Sequence, residues 1–247
     1  MKRLPTSILP DLNDSMRPMF SSAGFFQQVV AILAKELRTE WRTREIFTFM
    51  FVFTVLVIVV FNFAIGADPE AMRKIAPGVL WVALLFATVL GLQRTAQLES
   101  EEDCFQGVLL AIRDRSVVFV AKVLVNICYL VVVTLCALPL FSIWFRIDIG
   151  SHLGPICVVL ILGMIGLSLV GTLFSTISMN TRTRGLLLPL LFLPLSVPLT
   201  IAAVYATTDL LQDKTLGDIG DYLTLMIVYD IVFLVLSVLV FDYVVEE

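Results

Sequence analysis

Charged residues are scarce in this chain. Asp, Glu, Lys and Arg make up 15% of the 247 residues, whereas hydrophobic residues make up 59%. A soluble domain carries roughly a quarter charged and about half apolar residues. The apolar residues also come in runs of about twenty, the length of a membrane span, and no polar stretch is long enough to fold alone. The composition therefore excludes a soluble globular protein and predicts a polytopic membrane protein.

Residues that carry out chemistry are scarce as well. His152 is the only histidine, which excludes a metal centre of several histidines or a bis-histidine haem site within one chain. The four cysteines form neither a C-x-x-C pair nor a metal-binding spacing, which favours buried free thiols. The sequence contains no G-x-x-x-x-G-K-[ST] loop for ATP. We expect a non-catalytic protein with no metal and no directly bound cofactor.

Six apolar runs are long enough to cross about 30 Å of hydrocarbon as helices. They are approximately residues 46–67, 76–93, 117–145, 153–179, 186–206 and 223–245. Alternation with period two is absent, so the predicted fold class is all-α with six transmembrane helices. We expect residues 1–24, with their prolines and acids, to form a mobile extension, and residues 25–247 to form one transmembrane domain.

The distribution of lysine and arginine predicts the orientation of the bundle. If the N-terminus is cytoplasmic, twelve of these residues lie on the inner side and four, Arg73, Lys74, Arg146 and Lys214, lie in outer loops. The positive-inside rule favours this arrangement, and six spans then place the C-terminus inside too.

A segment before the first span has the pattern of an amphipathic helix. Its apolar residues recur at helical spacing: Phe26, Val30, Leu33, Leu37 and Trp41. Lys35, Arg38 and Arg42 lie off that stripe, which favours a helix in the inner headgroup region. The alternative is a simple extension of the first span into the cytosol.

The loop between spans two and three, Gln97–Ser116, is short and highly charged. Within it, a short run has apolar residues at positions i, i+3, i+4 and i+7, with acidic residues before the run and basic residues after it. This pattern predicts a cytoplasmic helix with one apolar face. Acids suit an anionic inner leaflet poorly, so a protein partner is favoured over lipid headgroups. The predicted docking residues are Glu99, Glu101, Glu102, Asp103, Phe105, Val108, Leu109, Ile112, Arg113 and Arg115.

The fifth apolar run contains three prolines, Pro189, Pro194 and Pro198. An interior proline removes a backbone hydrogen bond and clashes with the preceding turn. We therefore expect a bent or broken helix that is buried in protein contacts or lines a cavity. The prolines form either a hinge or a permanent kink. Pro77, by contrast, is expected to stand at the start of the second span.

Asp230 is the one acid predicted well inside a span. It should face other helices or water instead of lipid. Either it pairs with a polar neighbour or it marks a late start of the sixth span.

Three segments have distinctive motifs: "RKIAPGVLWVALLFATVLGLQR" (73–94), the acidic loop "LESEEDCFQGVLLAIRDRS" ahead of "VVFVAKVL", and "TRTRGLLLPLLFLPLSVPLTI" (181–201). Together and in this order they resemble the CcmB family, the haem exporter protein B. The first has the family's A-P-G-x-x-W start, the second its acidic cluster and following A-K, and the third its L-P-L-x-x-P span. In the acidic loop, "DCFQGVLL" stands where many relatives continue D-G-S-L-E-x-L-L.

The resemblance implies a membrane subunit of an ATP-binding-cassette (ABC) complex for cytochrome c maturation, with an exporter-like, ABC-2-type bundle in the bacterial inner membrane. It implies a second copy of the chain, a CcmA-like cytoplasmic ATPase dimer that holds the ATP, and CcmC-like and CcmD-like membrane proteins, with haem on those other subunits. The complex supplies haem through release of a haem-loaded chaperone. A general ABC-2-type exporter permease for a lipid, drug or polysaccharide is the alternative.

Overall fold

A computed structural model describes residues 24–66, 68–101, 115–179 and 187–244, and the regular structure in these ranges is helical. Seven α-helices lie in them: α1 Phe25–Thr43, α2 Glu45–Ile65, α3 Pro69–Glu101, α4 Arg115–Phe145, α5 Leu153–Met179, α6 Leu187–Leu210 and α7 Gly220–Val244. A 3₁₀ turn, Gly150–His152, precedes α5. The all-α prediction is confirmed.

Helices α2 to α7 are each long and apolar enough to cross a membrane, which confirms the six predicted spans. The start of the second span was predicted wrongly. Helix α3 begins at Pro69, and Pro77 lies inside it instead of at its first turn. Because Pro77 has no N–H, the carbonyl of Arg73 lacks its helical hydrogen bond. Arg73 lies close to the N-terminal end of α3, where polar surroundings can supply another donor.

Helix α1 is separate from α2. Arg44 adopts a left-handed conformation (φ 55°) that ends α1 and turns the chain into α2. The predicted apolar stripe of α1 divides between two environments. Leu33 and Leu37 pack against the bundle, whereas Phe26 and Trp41 are exposed. The helix that the pattern predicted is confirmed, and its exposed aromatic residues are of the kind found at membrane interfaces.

Helices α3 and α5 form the centre of the bundle. In each, 72% of the most apolar window is buried, against 22% in α2 and α7. Small residues allow this close packing: the backbone of Gly163 in α5 lies against the ring of Trp81 in α3, where a Cβ atom would overlap the indole. The Trp81 Nε1–H donates to Thr207 Oγ1 of α6 at 3.0 Å, deep in the bundle.

The six long helices alternate in direction along the chain, so their ends form two groups. We call the end at which α3 finishes and α4 begins the loop end, because residues 102–114 connect these helices there. The opposite end, at which α2 joins α3, α4 joins α5 and α6 joins α7, is the turn end.

Candidate functional site

The predicted docking segment belongs to the loop end. Its central residues lie outside the described residues: Glu102, Asp103, Phe105, Val108, Leu109, Ile112 and Arg113. Glu99 and Glu101 belong to the last turns of α3, and Arg115 is the first residue of α4. The structure therefore describes the two attachments of the segment.

The two helices that hold this segment are long. Helix α3 has 33 residues and α4 has 31. At about 1.5 Å per residue they extend over roughly 50 Å and 47 Å, compared with a hydrocarbon thickness of about 30 Å. Both run from the loop end to the turn end. A displacement of the segment between them would therefore act on two continuous helices that cross the whole bundle.

An ion pair ties the loop end of α3 to the start of α2. Nη2 of Arg94 contacts Oε1 of Glu45, and Nη1 donates to Oε1 of Gln97 at 3.3 Å. The Arg94 side chain is 26% exposed and that of Glu45 is 36% exposed. Nε of Arg94 is buried and has no hydrogen-bond partner in the described part of the chain. This pair connects residues 49 positions apart.

Glu40 fixes the junction between α1 and α2. It is only 8% exposed, and its Oε1 accepts the N–H of Phe47, in the first turn of α2, at 2.8 Å. An N–H group in that turn has no partner within its own helix, so Glu40 caps α2. Burial raises the pKa of Glu40, and the nearby charge of Glu45 adds to this, while the backbone hydrogen bonds oppose it.

Helix α1 also covers the first turns of α4. Val29 of α1 forms a buried cluster with Val117 and Ala121 of α4, and Ile32 packs against it. Together with the Glu45–Arg94 pair, this contact joins α1, α2, α3 and α4 beside the attachments of residues 102–114.

A small polar cavity of about 30 Å³ lies farther inside the loop end. Its wall includes Glu36 of α1, Thr95 of α3, Lys122 and Asn126 of α4 and Thr172 of α5. This volume holds one or two water molecules, which polar walls of this kind favour. Lys122 of α4 thus borders this cavity.

Two asparagines inside the spans connect helices. Asn126 Nδ2 donates to Ser168 Oγ of α5 at 3.2 Å, and Asn62 Nδ2 donates to the carbonyl of Trp144 at 2.8 Å. Such interhelical hydrogen bonds stabilise packed spans.

Asp230 lies in the interior of α7, which begins at Gly220, so a late start of the span does not explain it. Its Oδ1 is buried close to Gly166 of α5 and Leu199 of α6. Within the described residues this oxygen has no hydrogen-bond partner. Asp230 therefore faces neighbouring helices, as predicted, but its Oδ1 does not pair with a polar residue there.

The prolines of the fifth span lie in an unbroken helix, α6. Pro189 is the third residue of α6, where its missing N–H removes no helical hydrogen bond. Pro194 and Pro198 lie in the interior of the helix, yet both are exposed within this protomer. The described helices of this protomer therefore leave the face that carries the two prolines uncovered, and the predicted burial of this span in protein contacts stays a prediction. The buried face carries residues such as Phe192, Ser196 and Leu199.

The chain's one histidine lies at the turn end. His152 Nε2 is 3.1 Å from Oδ1 of Asp213, in the loop between α6 and α7. Among the described residues, no cluster of three or more His, Cys, Asp or Glu side chains could hold a metal ion.

Sequence reasoning missed the Glu45–Arg94 pair. The available signal was one acid at the start of the first span and one arginine at the end of the second, both on the same predicted face of the membrane. Their pairing requires α2 and α3 to be neighbours, which consecutive spans joined by a short turn usually are.

The fold and its loop end define a class of protein: a polytopic α-helical membrane protein in which two long helices lead to one charged loop. The chain belongs to the CcmB family, because the family model described as CcmB protein matches residues 27–246.

Curated relatives agree with this membership. The chain is 31% identical over 171 residues to heme exporter protein B of Rhodobacter capsulatus, and the aligned region covers 69% of this chain and 78% of that protein. It is 29% identical over 182 residues to heme exporter protein B of Pseudomonas aeruginosa, covering 73% of this chain and 81% of the relative. Heme exporter protein B of Haemophilus influenzae is 26% identical over 172 residues.

Proposed function

We propose that this chain is the transmembrane subunit of an ABC complex for cytochrome c maturation, and that it passes movement from a partner ATPase into the membrane. In this proposal a CcmA-like ATPase dimer docks on residues 99–115. ATP hydrolysis then displaces this segment, and the movement serves haem delivery through release of a haem-loaded chaperone.

One observation carries the mechanical part of the proposal: residues 102–114 join the ends of the two longest helices. Helices α3 and α4 continue from this segment to the turn end. At the loop end they are held to their neighbours by the Glu45–Arg94 pair and by the Val29–Val117–Ala121 cluster. A push on the segment is thus distributed to four helices. The relatives' name, heme exporter protein B, supports the haem-related process.

Transmission of movement is favoured over conduction of haem through this protomer. The internal cavity at the loop end has a volume of about 30 Å³, which suits water and is far below the roughly 300 Å³ at which ligand pockets begin. We accordingly place haem on other subunits, and ATP on the ATPase.

The proposal includes a topology and a set of partners. The loop end is cytoplasmic, with both termini inside and the chain in the bacterial inner membrane, as the lysine and arginine distribution favours. The partners are the CcmA-like dimer, a CcmC-like haem-handling protein, a small CcmD-like protein and a second copy of this chain. The exposed face of α6 with Pro194 and Pro198 is a candidate contact surface for that second copy.

The docking step is tested with the double variant Phe105→Glu/Leu109→Glu. We expect it to insert into the membrane at the normal level but to lose co-purification of the ATPase in mild detergent, because two charges replace the apolar face of the segment. Leu216→Glu is the matched control, since Leu216 is an exposed apolar residue in a turn-end loop. Normal co-purification of the ATPase with the double variant would refute docking on this segment.

The process is tested separately by deleting the gene and staining c-type cytochromes for haem. Loss of these cytochromes with other export intact supports a role in their maturation. Normal cytochromes together with a defect in lipid, drug or polysaccharide export would identify a general exporter permease instead.

A further inference from the structure

A second pocket lies at the turn end, on the opposite side of the bundle from the docking segment. It has a volume of about 320 Å³ and is formed where α2 ends, α3 begins and α4 ends. Its wall includes Asn62, Phe63, Met72, Arg73, Trp144 and Arg146. The pocket is independent of the proposed docking site in position and in composition.

The frame of this pocket is fixed by hydrogen bonds. Asn62 Nδ2 of α2 donates to the carbonyl of Trp144 in α4 at 2.8 Å. After α4, Arg146 adopts a left-handed conformation (φ 53°), and the N–H of Ile147 returns to the carbonyl of Ser142 at 3.1 Å. The Ser142 hydroxyl donates to the carbonyl of Ile147 at 2.6 Å. The backbone that presents Arg146 is therefore held in one defined turn.

Two positive charges border the pocket. Arg73 and Arg146 are both exposed, and within the described residues neither guanidinium forms an ion pair. None of the pocket's described wall residues is acidic. Guanidinium groups bind phosphate and carboxylate oxygens in a bidentate manner, so an anion is the complementary ligand.

The rest of the wall is apolar and lies at the level where the spans end. Phe63 stands two residues before the end of α2 and is 82% exposed, and Trp144 is the penultimate residue of α4. Aromatic residues at span ends occupy the membrane–water interface. A ligand that contacts both the arginines and this wall must have an anionic head joined to an apolar tail.

We propose that this pocket binds the phosphate-bearing headgroup of an anionic phospholipid from the adjacent leaflet. Arg73 and Arg146 contact the phosphate oxygens, and Phe63, Met72 and Trp144 contact the glycerol and the first methylene groups. The volume of about 320 Å³ accommodates a headgroup, while the acyl chains continue along the exposed apolar surface of α2.

The test measures lipid binding to the purified full chain, by native mass spectrometry and by the shift of the thermal unfolding midpoint. Phosphatidylglycerol should bind to and stabilise the wild-type protein more than phosphatidylcholine does, and inorganic phosphate should not compete. The variant Arg73→Gln/Arg146→Gln should bind phosphatidylglycerol at least about tenfold more weakly, because two charge-assisted contacts are lost.

Lys74→Gln/Lys214→Gln is the matched control, since it removes the same charge from the same end without altering the wall of the pocket. It should retain wild-type binding. Three results would overturn the proposal: equal binding of both lipids by the wild type, an unchanged affinity in the arginine variant, or an equal loss in the lysine control. Full competition by inorganic phosphate would assign the site to a free anion instead of a lipid. The wild-type lipid comparison decides the question even if the arginine variant does not fold.

Discussion

The Glu45–Arg94 pair offers the most direct test of how the loop end is held together. The two side chains join the start of α2 to the end of α3, and thus link the first span to a helix that leads into the docking segment. The substitutions Glu45→Gln and Arg94→Gln each remove one charge and keep most of the side-chain volume. The double variant removes both charges and therefore the ion pair.

The expected magnitude follows from the exposure of the two side chains. Breaking a fully buried pair costs about 3–5 kcal/mol, whereas exposed pairs contribute at most about 1 kcal/mol. With side chains 26% and 36% exposed, this pair lies between these limits but nearer the exposed one. We expect each single substitution to lower the free energy of unfolding by about 1–2 kcal/mol, and the double variant to show a coupling energy of about 1 kcal/mol.

The assay is reversible unfolding of the purified chain in mixed detergent micelles, followed by circular dichroism, for the wild type and the three variants. The control is the corresponding double-mutant cycle on Asp209 and Lys214 at the turn end, where Nζ of Lys214 is 2.9 Å from Oδ2 of Asp209. The side chains of Lys214 and Asp209 are 47% and 17% exposed, so the same argument from exposure predicts a coupling energy of similar size for this pair. A coupling energy below about 0.3 kcal/mol for Glu45–Arg94 would refute the conclusion that the pair stabilises the junction.

Two further predictions concern buried polar contacts. The substitution Thr207→Val leaves the indole N–H of Trp81 without its partner, so it should lower the free energy of unfolding by about 0.5–2 kcal/mol. The control is Thr208→Val, because the Thr208 hydroxyl donates to the Val204 carbonyl within its own helix, and it should lower the free energy of unfolding less in the same assay. Equal effects of the two substitutions would contradict the role of Thr207 as the partner of Trp81. Burial raises the pKa of Glu40, so the carboxyl group of Glu40 keeps its proton to higher pH in the folded protein than in the unfolded chain. The contribution of Glu40 to stability therefore falls as the pH rises from the ordinary pKa of 4.5 through the raised pKa of the folded state. Glu40→Gln can still accept the Phe47 N–H and should flatten the dependence of the unfolding midpoint on pH in this interval; an unchanged profile would show that Glu40 does not titrate in this way.

The number and order of the spans could be predicted from the sequence because a run of about twenty apolar residues is a local property. The separate α1 helix was also predictable, since its period of charged and apolar residues is local. The contacts between distant helices were not. Trp81 and Thr207 are 126 positions apart, and their hydrogen bond depends on which helices become neighbours, a property of packing that no local pattern contains.

The face that each helix turns toward its neighbours was also beyond the sequence pattern, for a physical reason. Lipid chains and packed side chains are about equally apolar, so hydrophobicity does not distinguish the two sides of a span. Leu199 of α6 is buried and Leu190 of the same helix is 69% exposed. Small residues distinguish the sides better. Gly163 marks the place where α5 meets Trp81, but its partner becomes known only from the structure.

The same reasoning explains why the docking segment can be interpreted from sequence although its central residues lie outside the described ranges. In water an apolar stripe has a free-energy cost unless something covers it, whereas in lipid it has none. The stripe of Phe105, Val108, Leu109 and Ile112 is therefore informative only if the loop end is aqueous. The last two turns of α3, which lead into this stripe, carry polar residues such as Arg94, Gln97 and Glu99, which favours an aqueous location. The prediction of a protein partner thus depends on these polar turns as much as on the stripe itself.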